Sequence, residues 1–84
     1  MKLVFDVQGW DDYQHWVKHD RKRALRIAEL LKDIARSPYE GVGKPESLKF
    51  DLSGWWSRRI DAGHRIIYIV VNDEIWVAQC RYHY

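Results

Sequence analysis

The second half of the chain carries a carboxylate, several cations and a histidine whose types suit acid–base chemistry at a phosphate. Glu46 and Lys49 follow a glycine-containing loop, Arg59 and Arg65 flank a turn, and His83 lies near the end of the sequence. Cleavage of RNA by its own 2′-hydroxyl needs a base for that hydroxyl, an acid for the leaving 5′-oxygen and cations against the charge on the phosphoryl oxygens. Arginine suits the last role because its planar guanidinium presents paired donors to phosphate. No metal is required for this chemistry.

Each of these residues also has an ordinary structural role. A glutamate after a loop is usually a solvent-facing carboxylate, and Arg58-Arg59 in a strand is usually an edge charge or a salt-bridge partner. A C-terminal His-Tyr is usually part of a frayed tail. Their conjunction, more than any one residue, favours the catalytic interpretation.

Length and composition narrow the classes of protein. The 84 residues predict one domain, residues 1–84, and the five tryptophans and five tyrosines indicate mainly core packing. A net charge of +2 excludes the strongly cationic field of a generic nucleic-acid binder. Contact with RNA would therefore use a few placed cations.

Several sites and locations are excluded or disfavoured. Cys80 is the only cysteine, so an intramolecular disulfide is impossible, and its apolar neighbours predict a buried thiol and not a nucleophile. His15 and His19 are spaced i,i+4 but lack an evident third ligand, so we expect no metal and no other cofactor. Neither a signal peptide nor a membrane span is evident, and we expect a cytoplasmic protein with no membrane contact.

Hydrophobic periodicity predicts an α+β fold. A strand at residues 2–6 precedes two helices, the first with Trp10, Tyr13, Trp16 and Val17 at helical spacing. The second, at residues 21–36, has an apolar stripe of Ala24, Ile27, Ala28, Leu31, Ile34 and Ala35. A loop at 39–45 leads to strands near 47–52, 55–60, 65–71 and 74–82. We expect the N-terminal strand and α-hairpin on one face of a mostly antiparallel twisted sheet.

Strand alternation sorts the charged residues between the two faces of that sheet. Arg59 shares a face with Trp55 and Ser57, while Arg58 points the other way. In the last strand one face carries Val77, Gln79, Arg81 and His83, and the other carries Ala78, Cys80 and Tyr82. The small apolar set suits the helix-packed face, so Arg59, Arg65 and His83 are predicted on the open face.

Specific segments of the chain resemble the YoeB toxins of the RelE superfamily. Residues 43–46 read GKPE, residues 52–60 read LSGWWSRRI and residues 80–84 read CRYHY. The WDDY of residues 10–13 and the His64-Arg65 pair fit as well, so the resemblance covers nearly the whole chain. Val42 and Ser47 depart from the pattern, which has a lysine and a proline there, and both flank Glu46.

The resemblance implies a RelE-like fold and endonucleolytic cleavage of mRNA in the ribosomal A site. It assigns Glu46 as general base, His83 as general acid and Arg65 as the residue that stabilises the phosphorane-like state. It assigns assisting or substrate-orienting roles to Lys49, Arg59 and Tyr84. It also implies an acidic, YefM-like antitoxin that folds onto the toxin, and a homodimer.

Two other functions remain open at this point. RelE-like scaffolds also carry toxins of the ParE type, which act on DNA gyrase, and the fold alone does not separate them. A plain RNA- or ribosome-binding module is the second, because Trp55, Trp56 and Tyr84 could stack bases while the arginines hold phosphates.

Overall fold

The computed structural model describes residues 1–82, so His83 and Tyr84 lie outside the described residues. Within that range the chain forms two helices, five strands and one short 3₁₀-helix. They are β1 (Lys2–Phe5), α1 (Val7–His19), α2 (Arg21–Arg36), β2 (Glu46–Ser47), the 3₁₀-helix (Phe50–Leu52), β3 (Trp56–Arg59), β4 (Arg65–Val71) and β5 (Glu74–Gln79). None of the helices in this range is long and apolar enough for a bilayer span.

The five strands form one sheet in the order β1-β5-β4-β3-β2. β1 pairs with β5 in parallel, and the other pairs are antiparallel. The predicted α+β class is thus confirmed, and the run at residues 65–71 is the central strand. β4 lies in the middle of the sheet because its residues are apolar on both faces and can be covered from both sides.

Both helices begin at aspartate caps. Val7 N–H donates to the Asp6 side chain (2.8 Å) and Arg23 N–H to the Asp20 side chain (3.2 Å), which satisfies N–H groups that have no partner within the helix. α2 ends at Arg36, before Ser37-Pro38, as the proline predicts. The two helices therefore follow each other directly, with Asp20 as the C-cap of one and the N-cap of the other.

The main core lies between α2 and the sheet. The buried side chains of α2 are Ala24, Ile27, Leu30, Leu31 and Ile34. The predicted stripe was wrong for Ala28 and Ala35, which are exposed, and it omitted Leu30. The buried face includes Leu30, which lies in the core cluster and also close to Gly43 in the loop of residues 37–45 (the 37–45 loop).

A close approach of α1 to β5 depends on Gly9. A Cβ at this position would lie 2.7 Å from the Val77 carbonyl oxygen, so a larger residue would push the helix off the strand. The helix begins two residues before this glycine, at Val7. Gly9 is thus a packing residue inside α1 and does not mark the start of the helix.

Strand alternation failed in β5 because of a β-bulge. Tyr68 pairs with Val77 but Ile67 pairs with Gln79, so Ala78 is an extra residue. Val77 and Cys80 consequently both belong to the helix-side core, whereas simple alternation had placed them on opposite faces.

The predicted strand at 47–52 is mostly wrong. β2 has two residues, after which Phe50 adopts a left-handed conformation (φ 58°) and the chain turns through the 3₁₀-helix. Leu48 N–H bonds the Trp55 carbonyl (2.9 Å) and closes this segment. Leu48 and Ile67 are buried outside the helix-side core, so part of the second face of the sheet is covered too.

Candidate active site

Three of the predicted site residues share the sheet face opposite the helices. Glu46 pairs with Ser57 across β2 and β3, and Arg59 pairs with Arg65 across β3 and β4. Paired residues point to the same side, and Ser57 and Arg59 are two positions apart, so all these side chains point to one face. The predicted grouping of Arg59 with Arg65 is confirmed.

The strand register sets the separation of the acid from the cations. Glu46 lies two strands from Arg65 and is offset by two residues along them. With strands about 4.8 Å apart and a rise of about 3.3 Å per residue, the two Cα atoms are about 12 Å apart. Both side chains rise from the same face of the sheet, so they can approach one ribose–phosphate unit from two sides.

The guanidinium groups on this face have unused donors. Among residues 1–82, Arg59 Nε and Arg65 Nε and Nη1 are buried and have no hydrogen-bond partner. Guanidinium donors that no group of the described residues uses, on one face of the sheet, are available to an anion. A phosphate is an acceptor of suitable charge and geometry.

Glu46 and Lys49 lie at the open edge of the sheet. Both are exposed, and they line a shallow cavity of about 300 Å³ together with Ser47, Leu48, Phe50 and Leu52. Lys49 directly precedes the 3₁₀-helix, whose first residue, Phe50, is 93% exposed. An acid and a cation thus line the same cavity at the solvent-accessible edge of the sheet.

Arg58 is structural and fully buried, on the helix side of β3. It forms an ion pair with Asp33 and donates to the carbonyls of Ser37 (2.6 Å), Glu40 (3.0 Å) and Val42 (3.1 Å). Of its two expected ordinary roles, the ion pair is found and the edge charge is not. Arg58 holds the 37–45 loop, which leads directly into Glu46.

Asp33 completes this frame from α2. It accepts the Val42 N–H (3.1 Å), and hydrogen bonds from Arg36 and then Arg58 hold the pKa of its carboxyl well below the ordinary range. Val42 is therefore engaged through both of its backbone polar groups while its side chain is 48% exposed. Its departure from the family pattern leaves the loop frame unchanged.

The described end of the chain is bound to the start of β4. Tyr82 N–H donates to His64 Nδ1 (2.7 Å), and Arg65 N–H donates to the Tyr82 carbonyl (3.1 Å). His83 and Tyr84, the predicted acid and an assisting residue, lie outside the described residues. The residue before them is nevertheless attached to the backbone of Arg65.

Arg81 does not join the other arginines on the open face. Its guanidinium lies over the rings of Tyr82 (4.7 Å) and Trp16 (5.9 Å). The chain leaves the extended conformation after β5, and Tyr82 has a φ of 64°. Alternation therefore stops being informative at Gln79, which is why it misplaced Arg81.

A residue of α1 that was not predicted as part of the site contacts the segment after β5. Asp12 lies outside the apolar spacing that predicted the first helix, yet it is 4% exposed and accepts the Cys80 N–H. The predicted burial of the Cys80 thiol is confirmed, and burial raises its pKa to about 12. The spacing of an acid and a tryptophan at i,i+4, here Asp12 and Trp16, was the only signal for this cluster in the sequence.

No group of three or more His, Cys, Asp or Glu side chains within residues 1–82 is arranged to hold a metal ion. His15 and His19 lie with their rings 4.8 Å apart on α1.

Sequence comparison identifies a family. A model described as YoeB-like toxin of bacterial type II toxin–antitoxin system matches residues 5–84. The toxin YoeB of Streptomyces coelicolor is 55% identical over 84 residues, and the toxin YoeB of Escherichia coli K12 is 51% identical over 84 residues. Both alignments cover 100% of this chain and 100% of the relative.

Solved structures agree with the sequence comparison. A YoeB/ParE toxin from Agrobacterium tumefaciens has a TM-score of 0.98 at 45% identity, with 100% of both chains covered. A chain of the heterotetrameric YoeB–YefM complex from Staphylococcus aureus and one of the YoeB dimer from the same organism each give 0.93 at 44% identity. Each covers 100% of this chain and 98% of that chain.

A more distant likeness concerns the fold alone. The RelBE2 toxin–antitoxin complex of Mycobacterium tuberculosis has a chain with a TM-score of 0.72 at 16% identity, covering 98% of this chain and 96% of that one. The RelE-like fold expected from the sequence is confirmed.

Proposed function

The chain belongs to the YoeB-like toxins of bacterial type II toxin–antitoxin systems, and on that premise we propose that it is a ribosome-dependent endoribonuclease that cleaves mRNA in the A site. The observation that carries this proposal is the pair Arg59–Arg65, whose buried guanidinium donors have no partner among residues 1–82 and share a sheet face with Glu46. A gyrase-binding protein has no evident need for such an anion site opposite a carboxylate.

The proposed reaction is an internal displacement at phosphorus. Glu46 removes the proton from the 2′-hydroxyl, whose oxygen attacks the adjacent phosphorus and forms a 2′,3′-cyclic phosphate. The bond to the 5′-oxygen breaks, and His83 protonates that oxygen to give a 5′-hydroxyl end. Arg65 stabilises the additional charge on the phosphoryl oxygens. Lys49, Arg59 and Tyr84 hold the phosphate or orient the substrate.

The exposure of the site supports dependence on the ribosome. Glu46 is solvent-exposed on a two-residue strand at the edge of the sheet, where water competes for its carboxylate. In-line attack also requires the 2′-oxygen, phosphorus and 5′-oxygen to be aligned, which flexible RNA rarely achieves. A ribosome that grips the mRNA and covers this face supplies both conditions. This substrate would place the protein in the cytoplasm.

The proposed partners follow from the family. Solved structures of the Staphylococcus aureus relative include a YoeB–YefM complex and a YoeB dimer. We infer that this chain likewise binds an acidic, YefM-like antitoxin and forms a homodimer. The exposed cations of α2, among them Arg21 and Lys22, provide a surface of complementary charge.

Primer extension on an mRNA translated in a purified bacterial system tests the proposal. The arms are no toxin, wild type, His83→Gln, and naked mRNA with wild type. His19→Gln is the matched control because it alters an exposed histidine outside the site.

We expect discrete cuts at A-site codons only with ribosomes present, for wild type and His19→Gln alike. His83→Gln should abolish the cuts while cosedimentation with ribosomes persists. Well-folded protein that leaves mRNA intact would contradict the nuclease proposal, and inhibition of DNA gyrase by the same sample would favour the ParE-type alternative. A His83→Gln variant with full toxicity would favour a binding module.

A further inference from the structure

The last described residues, 80–82, form an anchored segment beyond the end of β5, which we call the tail. β5 ends at Gln79, yet the N–H and carbonyl groups of both Cys80 and Tyr82 are hydrogen-bonded. A chain end without strand pairing ordinarily frays. Here four hydrogen bonds from two different elements fix alternate residues of the tail.

The first anchor comes from α1. Asp12 Oδ2 accepts the Cys80 N–H (3.0 Å), and Trp16 Nε1 donates to the Cys80 carbonyl (2.8 Å). Both side chains are buried, at 4% and 5% exposure. Gln8 donates to the other carboxylate oxygen of Asp12 (2.8 Å), so the carboxylate has a fixed orientation. Burying a carboxylate costs free energy, which hydrogen bonds must offset. In the tail, the Asp12 carboxylate binds one backbone N–H, that of Cys80.

The second anchor comes from the turn before β4. His64 Nδ1 accepts the Tyr82 N–H at 2.7 Å, which requires an imidazole with no proton on Nδ1. The His64 ring stands edge-on to Trp16, with centroids 4.8 Å apart, so the two anchors touch each other. Arg65, the next residue, donates its backbone N–H to the Tyr82 carbonyl (3.1 Å). Tyr82 is thereby fixed in a left-handed conformation with φ 64°.

We propose that Asp12, Trp16 and His64 are positioning residues for His83, the proposed acid, because they fix the backbone of residues 80–82, to which it is directly joined. This inference rests on the proposed nuclease function. His83 follows Tyr82 directly, so an error in the placement of Tyr82 passes to the imidazole that must protonate the leaving oxygen. A displacement of about 1 Å in a reacting group can lower a rate by about 10²-fold.

Two substitutions at His64 separate the hydrogen bond from the ring packing. His64→Phe retains a ring against Trp16 but removes the acceptor for the Tyr82 N–H. His64→Asn removes the ring but places an amide oxygen close to the position of Nδ1. If the hydrogen bond positions the tail, His64→Asn should cleave near the wild-type rate and His64→Phe about 10²-fold more slowly. A role in core packing alone predicts the reverse order.

A second pair of variants at Asp12 tests the other anchor without using His64. Asp12→Asn keeps an oxygen for the Cys80 N–H, while Asp12→Leu has a similar shape and no acceptor. The readout for all four variants is single-turnover cleavage of ribosome-bound mRNA over a range of toxin concentrations, together with the melting temperature. We expect the two variants without an acceptor to lose maximal rate at an unchanged half-saturating concentration, because the proposed role of the anchors is to place the acid.

The outcomes are distinct. Two outcomes, each with a wild type that cleaves, would overturn the positioning role and leave the nuclease proposal intact. In the first, His64→Phe is as fast as wild type. In the second, His64→Asn and His64→Phe are equally slow. If Asp12→Leu does not fold, the His64 pair decides. Wild type that fails to cleave, beside an intact translation system, would remove both proposals.

Discussion

Arg59 and Arg65 lie directly opposite each other on β3 and β4, so two like charges stand side by side on one face of the sheet. Among residues 1–82 neither forms an ion pair. Like charges in this arrangement destabilise a sheet by roughly 0.2–1 kcal/mol. A bound phosphate would remove that repulsion, which explains how an unfavourable pair can be useful in a site for RNA.

Arg65→Ala should therefore separate activity from stability. Loss of one charge-stabilising group typically lowers a rate by about 10²–10³-fold. The free energy of unfolding should stay the same or rise by up to about 1 kcal/mol, because the repulsion with Arg59 is relieved. Single-turnover cleavage on ribosomes and urea unfolding measure the two effects. A variant that unfolds would show that Arg65 is needed for the fold instead.

Glu46→Gln should remove the base while keeping the shape of the side chain. General-base catalysis contributes about 10²–10⁴-fold, and we expect a loss in that range. Glu40→Gln is the matched control, because Glu40 is exposed in the 37–45 loop and contacts Arg58 through its backbone carbonyl. Equal effects of the two substitutions would indicate a general charge effect and exclude a base at position 46.

Arg58 and Arg36 both bind Asp33, and they differ in burial. The side chain of Arg58 is 0% exposed and that of Arg36 is 77% exposed. Arg58→Met should lower the free energy of unfolding by about 3–5 kcal/mol, because it leaves buried loop carbonyls without a donor and removes the buried cation that pairs with Asp33. Arg36→Met should cost less than about 1 kcal/mol. Urea unfolding compares them, and similar losses would refute the distinction.

The ionisation of Asp33 should make the free energy of unfolding depend on pH. Hydrogen bonds from Arg36 and Arg58 lower its pKa in the folded protein, so the unfolded chain binds a proton first as the pH falls. The stabilisation is complete above the unfolded pKa of about 3.9 and is lost progressively below it.

Asp33→Asn does not titrate at this position. It should be less stable than wild type near pH 7, and the difference should shrink as the pH falls below about 4. Urea unfolding at several pH values measures this. A difference that stays constant over the whole range would mean that the Asp33 carboxylate contributes nothing specific.

Patterns in the sequence predicted much of the fold. Three local signals were sufficient: the helical spacing of Ile27 and Ile34 predicted α2, the proline after Ser37 predicted its end, and a run that is apolar on both faces predicted β4 as the central strand. The shared face of Arg59 and Arg65 followed from alternation, since no bulge interrupts β3 and β4 there, whereas their direct pairing did not, because alternation leaves the register open.

Other features depended on packing that local patterns do not encode. Ala78 is an extra residue in β5, and that single insertion reversed the faces assigned to Val77 relative to Cys80. Asp12 and Arg58 are charged, which ordinarily predicts exposure. Each is buried because its partners arrive from distant parts of the chain: Cys80 for Asp12, and the 37–45 loop for Arg58.

The hydrogen bonds that Arg58 donates to the 37–45 loop end on main-chain oxygens, and the Asp33 contact with Val42 ends on a main-chain N–H. Because these contacts involve main-chain atoms of the loop, they do not depend on which side chains the loop carries. A change of one of those side chains, such as the one at position 42, therefore leaves the hydrogen bonds that hold the loop before Glu46 in place. An engineer could therefore vary the exposed side chains of the loop to change its surface contacts, because Arg58 and Asp33 hold its backbone whatever those side chains are.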